Sequence, residues 1–133
     1  MAIRKRLPTS AEEWISHALS DLNLARIGQG NDDVLREQVC FHVQQAVEKA
    51  LKAVLLFRKV EFPEIHDLNN LVAILEKVGI RLPADIPELG YLTPHAEILS
   101  PVYSVEITED DADEAIRLAK KVLTWASEYI SKR

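Results

Sequence analysis

Residues 33–59 carry Val39, Val43, Ala46, Ala50, Val54 and Phe57 at three- and four-residue intervals, and Val47, Leu51 and Leu55 widen the stripe. At about 100° per residue this spacing keeps one flank apolar over the whole segment, so a helix of more than six turns is the only regular structure that buries it. A rod of that length needs other helices to cover it. Elsewhere, too, the pattern has the helical period, and no segment shows the sustained period-two alternation of a strand. The fold class expected is all-α, an antiparallel four- to five-helix up-and-down bundle formed by residues 1–133 as one domain.

Local signals divide the rest of the chain. Ser10 followed by Glu13 is a capping-box pattern, and Trp14, Ala18, Leu22 and Ala25 continue it, predicting a first helix over about 10–27. Gly28 and Gly30 end that helix, with Asp32 or Asp33 placed to cap the long one. Pro63 blocks its continuation. Asp67 then caps a third helix that carries Leu68, Leu71, Val72, Leu75 and Val78 and closes at Gly79. Four prolines cut 82–104, where a helix near 85–99 is expected to break at Pro94. Thr108 with Asp111 opens the last helix, apolar from Ala112 to Ile130.

Composition narrows the functional classes. The net charge of −5 argues against nonspecific, phosphate-driven nucleic-acid binding, although Arg4-Lys5-Arg6 and the closing Lys132-Arg133 are local basic sites. Cys40 is the only cysteine, which excludes an internal disulfide, weakens a structural zinc reading and fits a cytoplasmic setting. The longest nearly unbroken apolar run, residues 53–57, is too short to span a bilayer, so no membrane association is expected. No metal or cofactor is expected either: the histidines are too scattered for ligand spacing, and Gly28-Gln29-Gly30 lacks the lysine of a phosphate loop. The acidic run at 109–114 starts a helix, where negative charge complements the dipole.

The chemistry concentrates in CFHVQQAVEKALKA, residues 40–53. On a helix, His42, Gln45, Lys49 and Lys52 gather on one side, with Gln44 and Glu48 between them and the core, and Glu48 is spaced to pair with Lys52. Taken as physics alone, this is a solvated strip stabilised by weak helical pairs.

The same run resembles the second-helix signature of the HEPN domain (higher eukaryotes and prokaryotes nucleotide-binding). His66-Asp67-Leu68 and the pattern Trp14, Ala18, Asp21-Leu22, Ala25 match its flanking elements. The resemblance covers nearly the whole chain and implies a helical bundle, usually a homodimer. Many such proteins pair with a minimal nucleotidyltransferase in two-component, toxin–antitoxin systems. It implies binding of a nucleotide or RNA phosphate, for which Gln45, Lys49, Lys52 and His66 are the candidates. Active members are metal-independent ribonucleases that use an arginine followed four to six residues on by a histidine, late in the chain. Here residues 92–104 read LTPHAEILSPVYS, with His95 and Tyr103 but no arginine. His95 then reads as a loop or packing residue. Arg36 and His42 match the motif by spacing only, since six residues set them about 120° apart on a regular helix. The alternatives to a binding module are a ribonuclease with an unorthodox arginine, Arg36 or Arg81, and a purely structural oligomerisation module.

Overall fold

The computed structural model describes residues 9–64, 66–86, 89 and 106–131. Among them lie four helices and no strand: α1 (Ala11–Gln29), α2 (Arg36–Phe57), α3 (Leu68–Lys77) and α4 (Glu109–Ser131). The expected helix near 85–99, its break at Pro94, and His95 fall mostly or wholly outside the described residues. None of the described helices is long and apolar enough to cross a membrane.

The helix starts follow the sequence signals, with one exception. The Ser10 hydroxyl accepts from the Glu13 amide at 3.1 Å, the Asp67 carboxylate accepts from the Asn69 amide at 3.0 Å, and Thr108 and Asp111 bond each other reciprocally at 3.0 and 3.1 Å. The exception is α2. It begins at Arg36, not near 33, and its N-cap is Leu35, with no side-chain capping bond. The expectation that Asp32 or Asp33 caps it fails because the loop makes its own turn, the Asp33 amide donating to the Asn31 side chain at 2.8 Å.

The helix ends are equally local. Gly30, not Gly28, follows the last turn of α1; Gly28 is buried within the helix, where an added Cβ would meet Val34 at 3.0 Å. α2 and α3 close alike, with Val60 donating back to the Leu55 carbonyl and Ile80 to that of Leu75. The residue preceding each donor has positive φ: Gly79 at 84° and Lys59 at 59°. Glycine takes that conformation freely and lysine does not. Lys59→Gly is therefore expected to raise stability by about 0.5–1 kcal/mol, read as a shift in the urea midpoint.

α2 is the centre of the bundle. It packs on α1, α3 and α4, while α1 also touches α4. From Val39 to Phe57 no α2 residue is fully exposed. Arg36 reaches the Ile107 carbonyl before α4 at 3.2 Å, and Arg58 just after α2 reaches the Tyr129 hydroxyl near the end of α4 at 2.6 Å, so α2 and α4 run in the same sense. α1 opposes both: its end meets the start of α4 through Gln29 and Asp113 at 3.0 Å, and its start packs Ala11 with Ala53 and Ile130. Ala18, Ala25, Ala46, Ala50, Ala115 and Ala119 are fully buried, which lets the backbones approach closely.

Candidate functional site

The polar residues of α2 do not form one outward strip. Packing on three sides divides them into two clusters, one half-open and one buried.

The half-open cluster lies on the seam between α1 and α2. Asp21, next to the core residue Leu22 on α1, faces two α2 residues seven positions apart. His42 Nδ1 lies 3.1 Å from Asp21 Oδ1, and Lys49 Nζ donates to Asp21 Oδ2 at 2.6 Å. A carboxylate only accepts, so the His42 proton sits on Nδ1 and Nε2 is left for another partner. Lys49 has three donors and uses one on Asp21. The side chains of Lys49 and His42 keep 24% and 29% exposure, so both remain reachable. Phe41 packs edge-on against the His42 ring with centroids 5.5 Å apart, fixing its orientation.

The buried cluster centres on Glu48. Its carboxylate accepts from Lys52 Nζ at 2.9 Å, from His66 Nδ1 at 2.9 and 3.0 Å, and from Gln44 Nε2 at 3.3 Å. Gln44 Nε2 also donates to the His66 carbonyl at 3.1 Å, and Gln45 Nε2 donates to Gln44 Oε1 at 2.9 Å. Lys52 lies over the rings of Trp14 and Phe62 at 5.7 and 5.8 Å. Gln44, Glu48 and Lys52 are buried, yet each charge has a partner, as a buried charge requires.

This arrangement corrects the single-strip geometry expected for His42, Gln45, Lys49 and Lys52. Lys49 remains beside an opening, whereas the Lys52 side chain is 7% exposed and inward. His66 is exposed but turns Nδ1 onto Glu48, and Gln45 braces Gln44. The i,i+4 pairing of Glu48 with Lys52 forms as expected. Arg36 and His42 do not converge: one reaches the Ile107 carbonyl and the other Asp21. Sequence reasoning missed Asp21 as the residue joining His42 to Lys49. The available signal was a carboxylate flanking the α1 core stripe opposite two basic residues spaced by two helical turns.

No group of three or more His, Cys, Asp or Glu residues suited to a metal ion occurs among the described residues. Cys40 is buried, and its thiol is pushed up to about 11, first by burial and then by Asp111 and Glu37. The thiolate is the reactive form, and at pH 8 only about one thiol in a thousand carries it. Native protein is expected to resist a disulfide reagent such as Ellman's and to react fully once unfolded. A raised thiol also contributes stability that is fully present below pH 9 and lost as pH rises through about 11. Cys40→Ala should flatten that part of the stability–pH curve.

The chain matches a family model and two solved structures. The HEPN domain model matches residues 11–129. The crystal structure of ST0689, an archaeal HEPN homologue, superposes with a TM-score of 0.70 at 31% identity, covering 93% of this chain and 100% of that one. The crystal structure of TT1696 from Thermus thermophilus gives 0.67 at 26% identity, covering 90% and 97% of the two chains. No curated protein matches the chain. With the four described helices and the family model extending from the first residue of α1 nearly to the end of α4, the chain belongs to the HEPN domain family.

Proposed function

We propose that the chain is a homodimeric HEPN-type module that binds a nucleotide or RNA phosphate and works with a minimal nucleotidyltransferase partner in a two-component, toxin–antitoxin-like system. The observation that carries the binding reading is the half-open Asp21–His42–Lys49 cluster. Lys49 has two donors left after bonding Asp21, and His42 in its imidazolium form would keep Nδ1–H on Asp21 and have Nε2–H as a second donor. A phosphate oxygen could accept from both. Lys52, His66, Gln44 and Gln45 then form the foundation under this surface, holding the middle of α2 to the segment before α3.

The expected result is saturable binding of ATP in calorimetry, or of a fluorescein-labelled RNA oligonucleotide in anisotropy. Lys49→Ala should weaken it about tenfold or more, since a hydrogen bond to a charged group contributes roughly 1.5–3 kcal/mol. Absence of saturable binding in the wild type would sink the phosphate reading. The ribonuclease alternative requires Arg36 to leave the Ile107 carbonyl and approach His42, so RNA cleavage lost in both Arg36→Ala and His42→Ala would establish it instead. Light scattering of the purified chain tests the dimer.

A further inference from the structure

We propose that the corner between α1 and α2 is a docking surface for a basic, amphipathic segment of a partner protein. Leu35 carries the argument. It occupies the N-cap of α2, a position where serine, threonine, aspartate or asparagine would satisfy free amides, yet it makes no capping bond and is 64% exposed. An exposed leucine here gives up local helix stability and gains no core contact. Residues that break a local rule without a folding benefit mark functional surface. Val34, beside it in the chain, is exposed at 36%, and Ile27 and Leu24, in the last two turns of α1, are exposed at 71% and 51%.

Beside this apolar ridge lies an open cavity of about 430 Å³, lined by Val34 and Leu35 and by the carboxylates of Asp32, Glu37, Glu106 and Glu109. Arg36 is the one cation among its described lining residues, and its guanidinium donates to the Ile107 carbonyl. Helix dipoles account for Glu37 and Glu109, which stand in first turns. They do not account for Asp32 and Glu106, which lie outside the helices. Carboxylates around exposed aliphatic side chains complement a segment that alternates cations with aliphatic anchors. Leu35 is distinct from the phosphate cluster, because His42 and Lys49 sit roughly 10 and 20 Å farther along α2.

The probe is a twelve-residue amphipathic peptide of lysine and leucine, with a twin in which glutamate replaces lysine. Full-length protein is titrated while its backbone amides are followed by 15N spectroscopy. The lysine peptide should bind saturably, at least tenfold tighter than its twin, with shifts concentrated at residues 24–37 and 106–109. Leu35→Ser should weaken binding tenfold or more while leaving the thermal midpoint unchanged or higher, because serine supplies the missing cap. Asp32→Asn with Glu106→Gln should weaken it similarly and reduce its salt dependence. Equal binding to wild type and to Leu35→Ser would reduce the effect to general attraction toward an acidic chain and overturn the proposal. So would the absence of peptide binding, or a dimer that Leu35→Ser converts to monomer, which would assign the corner to a second copy. Nucleotide binding should survive Leu35→Ser, so loss of the phosphate reading and loss of this one are distinguishable.

Discussion

Glu48→Ala should destabilise the protein by about 3–5 kcal/mol, the usual effect of removing one member of a buried ion pair. The cause is what remains behind. Lys52 would be left with a side chain 7% exposed, beside Trp14 and Phe62 but without a carboxylate. Gln44 and His66 would lose their shared acceptor as well. Replacing both members tests the mechanism. Glu48→Leu with Lys52→Met leaves no unpaired charge and should recover much of the loss. His66→Ala should cost far less, since its side chain is 70% exposed and its bond to Glu48 is correspondingly solvent-screened. Urea denaturation followed by circular dichroism measures all of these. A loss below about 1 kcal/mol for Glu48→Ala would show that the buried cluster rearranges freely and does not organise α2.

Leu51→Ala should cost about 2–5 kcal/mol in the same assay. Leu51 is fully buried at the middle of α2, which α1, α3 and α4 enclose. A helix packed on three sides cannot shift toward a new void without losing contact elsewhere, so the cavity should persist and the cost fall in the upper part of that range. Leu24→Ala on α1 is the control. Leu24 is 51% exposed, and its truncation should change stability by no more than about 0.5 kcal/mol. Similar losses in the two variants would contradict the layout of the core.

The second helix shows how far sequence reasoning reached and where it stopped. Its core flank of Val43, Ala46, Val47, Ala50, Leu51 and Val54 is buried as the periodicity required. Its polar residues were expected on one outward strip, which packing divides into a half-open and a buried cluster. Helical geometry places Lys49 and Lys52 as neighbours with similar chemistry, and nothing in that geometry distinguishes them. The difference comes from other elements: Asp21 on α1 meets Lys49, whereas Trp14, Phe62 and Glu48 close over Lys52. His42 has the same history. Its spacing from Arg36 suggested one pair, and the position of α1 supplied Asp21 instead.

The sequence alone determined the all-α class, the capping residues of α1, α3 and α4, the buried stripes and the family, because these depend on contacts a few residues apart or on an unbroken run of residue types. Only the tertiary structure decided the cap of α2, the parallel contact of α2 with α4, the burial of Lys52 and the joining of His42 to Lys49 through Asp21. Each of these depends on which helix lies beside which, set by packing across the whole chain and not by any local period.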